Sequence, residues 1–178
     1  MGPTQPQAAG ARTVARPPAR ARPGPRSTRD QSAHPVIECA RMKRVVYRSR
    51  ESEPMSDAQV ADLLSQARRK NDVQNITGML IRHDGCFLQA IEGEVTVIDT
   101  LYHKIRHDPR HTDVETLADE PISERVFHKW TMGFRNMSAG EIRNIARLAE
   151  LSADDPLLVR ISAPEADALL SEAAVSLA

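Results

Sequence analysis

Apolar positions follow two different periods along residues 43–134, and the switch between them predicts strands and helices. Val45-Val46-Tyr47 is a β-branched and aromatic run that predicts a first strand. The capping box Ser56 to Gln59 then predicts the start of a helix. Apolar residues at the spacing i, i+3, i+4 and i+7 continue this helix, which we expect to end near Lys70-Asn71; they are Val60, Leu63, Leu64 and Ala67.

A hairpin and a second helix are predicted next. The pair Asp84-Gly85 separates two apolar runs, 76–82 and 86–91, and Asp-Gly is a strong hairpin signal. Gly93 is expected to break the chain before the second helix. The apolar face of this helix consists of Ile98, Leu101, Tyr102 and Ile105. Asp108-Pro109 should stop it, because proline cannot donate the next backbone hydrogen bond.

Further extended segments near 114–118 and 130–134 complete the order β-α-β-β-α-β-β. This order contains the split βαβ arrangement of a ferredoxin-like fold. We therefore predict an α+β domain over 42–136, with a mixed sheet and two helices on one face. Capping boxes at Ser138 to Glu141 and Ser162 to Glu165 predict C-terminal helices, a cap or output extension over 137–178.

The first 34 residues have a different composition. They contain six arginines against one acidic residue and six of the twelve prolines, which leaves 18 basic and 23 acidic residues for the rest. We interpret residues 1–41 as a disordered Arg/Pro-rich tail. Translation starting at Met42, so that the tail is not made, is an open alternative. Because the remainder is acidic overall, nucleic-acid binding is not expected.

Two cysteines, Cys39 and Cys86, suggest neither a metal site nor a disulfide framework. This cysteine usage favours a reducing, cytoplasmic location. Because no apolar run approaches the ~20 residues that span a bilayer, we expect no membrane span. The sequence lacks the common phosphate-loop, hydrolase and zinc motifs.

Charged residues that could form a metal site or a carboxylate pair have simpler interpretations. His103, His107 and His111 are interpreted as solvent-exposed. Glu92 and Asp108 are interpreted as a strand-end charge and a solvated loop residue.

Polar residues inside apolar elements are the strongest candidates for a site. Gln89 lies within the apolar run Phe87 to Ile91, and leaving its amide buried and unpaired costs about 1–3 kcal/mol. Tyr47 is on the strand expected to neighbour it. Taken singly, a core tyrosine, its glutamine partner and a helix C-cap at Asn71 are the favoured interpretations.

Several motifs in order resemble the BLUF family, blue-light photoreceptor domains that bind FAD. The resemblance rests on Val46-Tyr47-Arg48-Ser49, Asn71, Asn75-Ile76-Thr77-Gly78-Met79-Leu80, the run Gly85 to Gly93, the run Ile105 to His111, and the run Phe127 to Phe134. It implies that FAD is held non-covalently between the two helices on the covered face of the sheet.

The resemblance also implies residue roles. Tyr47 matches the light-reactive tyrosine and Gln89 the glutamine that relays hydrogen bonds between it and the flavin. Asn71 matches the asparagine at the flavin carbonyl edge, and Arg110 a basic residue near the pyrimidine end.

Four further residues complete the predicted site. Trp130 and Met132 match a last-strand pair that exchange burial in family structures and relay the signal. Ser49 and Lys70 are additional expected cofactor contacts.

The expected function is therefore a short, stand-alone sensor that is not an enzyme and that signals to an unidentified partner protein. Homo-oligomers are common among short family members. Four leucines could supply an interface or could pack on the open face of the sheet: Leu148, Leu151, Leu157 and Leu158. A flavin-dependent redox enzyme and a flavin-free ferredoxin-like adaptor are the alternatives.

Overall fold

The computed structural model describes residues 41–146 and 157–178. In these ranges one sheet lies between two layers of helices. Its strands are β1 (Met42–Glu51), β2 (Thr77–His83), β3 (Cys86–Glu94), β4 (His111–Ile122) and β5 (Gly133–Asn136). The helices are α1 (Asp57–Val73), α2 (Val95–Arg106), α3 (Ala139–Ala146), α4 (Leu157–Arg160) and α5 (Ala163–Val175).

The strand order across the sheet is β4-β1-β3-β2-β5. β2 and β5 are parallel, whereas the other three neighbouring pairs are antiparallel. β3 therefore separates β1 from β2, which are connected through α1. This is the split βαβ arrangement, and the predicted ferredoxin-like α+β fold with C-terminal helices is confirmed.

Alternation along the strands sends neighbouring side chains to opposite faces. Val45 and Tyr47 of β1 pack in a core with α1 and α2, here called the cleft-side core. Val46, between them, packs in a second core with α3, α4 and α5, here called the cap-side core. The same strand thus contacts both helical layers.

Local signals account for most element boundaries. The capping box at Ser56 starts α1, with the Ser56 and Gln59 side chains bonded as predicted. Asp84 and Gly85 both have positive φ, 46° and 68°, as a two-residue hairpin turn requires.

Three predicted boundaries are wrong. α1 continues to Val73 because the amide of Gln74, its C-cap, donates to the carbonyl of Lys70. Gly93 does not end β3, because it pairs with Lys43 of β1. β5 starts only at Gly133, so the segment 130–132 belongs to an irregular loop.

The C-terminal helices cover the face of the sheet opposite α1 and α2. Leu157 and Leu158 are each 1% exposed and belong to the cap-side core, so they pack on the sheet. Leu148, Leu151 and residues 1–40, most of the proposed tail, lie outside the described residues. Within 41–146 and 157–178, no helix is long and apolar enough to cross a membrane.

A buried carboxylate fixes the loop between β4 and β5, residues 123–132. Glu92 of β3 is fully buried and accepts hydrogen bonds from the amides of Val126 and Phe127, both at 3.0 Å. The Thr77 hydroxyl donates a third bond at 3.2 Å. Glu92, interpreted as a strand-end charge, lies two residues before the end of β3, and main-chain amides distant in sequence satisfy its buried carboxylate.

We expect Gly78→Ala to destabilise the fold by about 1–3 kcal/mol, since added volume in a packed sheet forces the backbone to shift. A Cβ at Gly78 would lie 2.3 Å from the Ala90 carbonyl oxygen of β3. Urea unfolding of the purified variants measures this change. Gly140→Ala is the control: a Cβ there meets nothing within 4 Å, and the helix should gain up to about 1 kcal/mol. Equal free energies of unfolding in Gly78→Ala and wild type would contradict the close packing of Gly78 against the Ala90 carbonyl.

Candidate functional site

A cleft of about 810 Å³ opens between α1 and α2, with β-strand side chains at its base. Its walls combine apolar helix residues with a small number of polar groups, the usual composition of a site for an organic cofactor. The polar and charged residues around it are Tyr47, Gln66, Lys70, Asn71, Gln74, Gln89, Thr96, Thr100, Lys104, Asp108, Arg110 and His111.

Tyr47 and Gln89 are direct neighbours at the base of the cleft. They pair in the register of β1 and β3, so both side chains point to the same face. The Tyr47 hydroxyl donates to Gln89 Oε1, and Gln89 Nε2 donates to Met132 Sδ at 3.3 Å. The three side chains thus form a hydrogen-bonded chain, with the amide in the middle.

The Tyr47 phenol is held in its protonated form. It is 1% exposed, and its ring packs against that of Tyr102 at 5.2 Å between centroids. Burial raises the pKa of Tyr47 above its ordinary value, because the phenolate loses its hydration. The hydroxyl therefore remains a hydrogen-bond donor at neutral pH.

Asn71 is a buried cleft residue and not the C-cap of α1. It is 4% exposed, and its Nδ2 donates to the Thr131 carbonyl at 2.7 Å. A side-chain amide has two N–H donors and a carbonyl acceptor, so this bond leaves further capacity for a bound molecule. One turn earlier, Arg68 Nε donates to the Met132 carbonyl at 2.9 Å.

Charged groups lie at the rim beyond the end of α2. The Arg110 guanidinium donates to the Asp108 carboxylate, with 2.9 Å between Nε and Oδ1, and lowers the pKa of Asp108 to about 2. Asp108 is therefore ionised at neutral pH and paired. Lys104, in the last turn of α2, lines the cleft near this end, whereas Lys70, in the last turn of α1, lines it near the other end because the two helices run in opposite directions.

His111 is a cleft residue that the sequence reasoning missed. Its ring packs on Phe87 at 5.6 Å between centroids, and its Nδ1 lies 3.0 Å from the Ser49 hydroxyl. Burial lowers the pKa of His111, so its neutral form is favoured. The expectation of solvent exposure is wrong for His111 and correct for His103 and His107. No group of residues in the described ranges could hold a metal ion.

The cleft brings together six of the eight residues singled out from the sequence: Tyr47, Lys70, Asn71, Gln89, Arg110 and Met132. Ser49 and Trp130 do not line it. Ser49 is buried behind His111, and Trp130 is half-buried against the cap-side core. Met132 therefore faces the cleft, whereas Trp130 packs on the opposite side of the sheet.

Comparison with known proteins identifies the family. The family model described as "BLUF: Sensors of blue-light using FAD" matches residues 42–133. The chain belongs to the BLUF family. It therefore contains a blue-light-sensing, flavin-binding domain, and the BLUF resemblance inferred from the sequence motifs is confirmed.

Individual BLUF relatives differ in how much of their length this chain covers. The chain is 40% identical over 89 residues to photoactivated adenylate cyclase subunit beta of Euglena gracilis, which is 49% of this chain and 10% of that protein. It thus spans about a tenth of that curated relative's length.

Two solved structures are also similar to this chain. The dark-state structure of BlrB, a BLUF protein, has a TM-score of 0.62 and 30% identity, covering 77% of this chain and 98% of BlrB. Klebsiella pneumoniae BlrP1 with FMN and cyclic diGMP has a TM-score of 0.53 and 28% identity, covering 71% of this chain and 35% of BlrP1.

We expect Tyr47 not to ionise at about pH 10, where an ordinary tyrosine is half ionised. Its buried phenolate would be poorly solvated, which raises the pKa. Alkaline titration of tyrosinate absorption in wild type and Tyr47→Phe measures this difference directly, because Tyr102 is the one other tyrosine. The two curves should coincide through pH 10. A tyrosinate signal near pH 10 that Tyr47→Phe removes would contradict the burial.

Proposed function

We propose that this chain is a blue-light photoreceptor that holds FAD non-covalently in the cleft between α1 and α2. It signals to a partner protein through a light-induced rearrangement of the hydrogen bonds around Gln89. The observation that carries this proposal is the Tyr47–Gln89–Met132 chain at the base of the cleft, in a domain of the BLUF family.

The cleft fits a flavin in size and in chemistry. Its volume of about 810 Å³ lies within the range of small-molecule sites. Leu64, Leu80 and Leu101 offer apolar contacts to a flat aromatic ring, and the Asn71 and Gln89 amides can each donate and accept at its polar edge.

Cations along the cleft suit the phosphates of the cofactor. Lys70 and Lys104 face the cleft from opposite helices, and neither forms an ion pair with a described residue. Arg110 also lines the cleft, paired with Asp108. Both FAD and FMN carry phosphate, and FAD is proposed because the matching family is described by it.

The bound flavin would supply blue-light absorption and an acceptor for an electron. Tyr47 would act as the oxidisable, protonated partner, and the hydrogen bond from its hydroxyl to Gln89 supports this role. The Gln89 amide determines which of its neighbours receives a hydrogen bond.

Exchanging the two ends of the Gln89 amide would change both of its contacts. Oε1 would then face Met132 Sδ, which has no proton to donate, so that contact would be lost. The Tyr47 hydroxyl would face an N–H group and would have to turn its own proton elsewhere. A local change at Gln89 would thus favour a different position of Met132. Met132 with its two positions would then be the two-state element that such a switch requires.

The output would reach the C-terminal helices through the sheet. β1 carries Tyr47 toward the cleft, and on its other face Arg48 donates to the Ile161 carbonyl at 3.0 Å. Arg44 of the same strand lies 3.4 Å from Asp167 of α5. We propose that residues 42–136 are the sensor and that 137–178 pass the signal on by protein contact and not by catalysis. The partner's identity, homo-oligomerisation and the cytoplasmic location stay predictions.

Purified protein should be yellow, and blue light should shift its flavin absorption slightly to the red, with recovery in darkness. Tyr47→Phe and Gln89→Ala should each abolish the shift while flavin stays bound, because each breaks the hydrogen-bonded chain. Tyr102→Phe is the matched control and should keep the shift, since Tyr102 bonds to Thr116 and not to Gln89.

The other outcomes identify the alternatives. A normal light response in Tyr47→Phe or Gln89→Ala would contradict the proposed roles. Steady reduction of the flavin by a nicotinamide donor without a light shift would favour a redox enzyme. A colourless protein that binds no added FAD would favour an adaptor.

A further inference from the structure

Arg68 of α1 holds the main chain of the residue that contacts Gln89. We propose that Arg68 is a positioning residue: its hydrogen bond to the Met132 carbonyl keeps the Met132 side chain beside Gln89 and thereby sets the lifetime of the light-adapted state. This inference rests on the proposed function, because it assigns a determinant of the same switch.

Met132 is held at two points by two different elements. Arg68 Nε donates to its carbonyl oxygen at 2.9 Å, and Gln89 Nε2 donates to its Sδ at 3.3 Å. Met132 precedes the first residue of β5, so its carbonyl has no strand partner in the sheet register. A side chain from α1 supplies the missing donor, and the position of this residue therefore depends on Arg68.

Neighbouring carbonyls have separate anchors. The main-chain amide of Gly78 donates to the Trp130 carbonyl at 3.1 Å, and the side-chain amide of Asn71 donates to the Thr131 carbonyl at 2.7 Å. Asn71 lines the cleft and belongs to the proposed flavin site, whereas Arg68 does not line it. Arg68 is consequently the anchor that can be substituted without replacing a residue of the cleft wall.

The anchors limit which part of the chain can move. Upstream, Glu92 holds the amides of Val126 and Phe127, and downstream Gly133 pairs with Met79 in the sheet. Met132 is 3% exposed on the cleft side, while Trp130 packs against the cap-side core. We expect that Met132 leaves Gln89 through a shift of the short segment 128–132, which breaks the Arg68 bond and the bond from the Gly78 amide to the Trp130 carbonyl and moves Trp130.

Arg68→Ala should therefore favour the shifted loop over the dark arrangement. A hydrogen bond from a charged donor stabilises the dark arrangement, and we expect its loss to slow dark recovery about three- to tenfold. Trp130 is the single tryptophan of the chain, so its fluorescence reports the loop directly. In darkness, the emission of Arg68→Ala should shift toward that of illuminated wild type.

Arg69→Ala is the matched control for the full-length, FAD-loaded protein. Arg69 is the next residue of α1, is also exposed, and its guanidinium donates to Ser65 at 2.9 Å within the helix. Arg69→Ala removes the same charge and introduces the same residue as Arg68→Ala, but it leaves the Met132 carbonyl bond intact. Both the dark recovery rate and the Trp130 emission should therefore remain as in wild type. Both substitutions are on an exposed helix surface and favour the helix, so folding should be retained.

Three results would overturn the proposal. The first is recovery in Arg68→Ala that is unchanged or faster. The second is a slowing of equal size in Arg69→Ala, which would reflect charge alone. The third is loss of flavin from Arg68→Ala, which would make Arg68 a binding residue.

The test also separates this inference from the proposed function. If wild type shows no light response, the proposed function fails. The dark Trp130 emission still decides the role of Arg68, because identical emission in wild type and Arg68→Ala would show that Arg68 does not hold the loop.

Discussion

The amide of Gln89 is hydrogen-bonded at both ends, and much of the site follows from these two bonds. Gln89 is half-buried at the base of the cleft, and an amide that is cut off from water without a partner costs about 1–3 kcal/mol, a large fraction of a domain's net stability. Tyr47 satisfies the oxygen end through the pairing of β1 with β3, and Met132 satisfies the nitrogen end from a loop. The first partner is fixed by the sheet. The second depends on hydrogen bonds that hold an irregular segment in place.

This difference separates a rigid half of the site from an adjustable one. The backbone of Tyr47 is fixed opposite Gln89 by the pairing of two central strands, whereas Met132 lies on the loop before β5. That loop is held by hydrogen bonds from its main chain to three separate side chains, those of Glu92, Asn71 and Arg68. A domain that must switch between two arrangements of similar energy needs such an element, and the sheet itself is too well paired to provide it.

The sequence predicts those parts of the structure that leave a periodic or local signal. Alternation along β1 and β3 places Tyr47 and Gln89 on one face, and the capping box at Ser56 locates the start of α1. Nothing at Lys70-Asn71 stops the helix, since the terminating contact comes from Gln74, and so the sequence pattern alone ends the helix too early.

Residues fixed by distant contacts were less predictable. No local pattern shows that Glu92 is buried, because the amides that bind its carboxylate, those of Val126 and Phe127, lie 34 and 35 residues away in sequence. The sequence around His111 likewise indicates an exposed histidine, whereas in the structure β4 packs its ring on Phe87. The opposite sides taken by Trp130 and Met132 depend on the loop anchors, and no local pattern encodes them. The motifs shared with the BLUF family indicated these positions, although not their geometry.

The central claim is that light rearranges the hydrogen bonds of Gln89 while the fold persists. Infrared difference spectroscopy of the flavin-loaded protein, light minus dark, tests it most directly, because a carbonyl stretch falls in frequency when its hydrogen bond strengthens. We expect a reversible shift of a flavin carbonyl band, together with bands from a glutamine side chain. An unchanged carbonyl region, in a protein whose visible absorption responds to light, would contradict it.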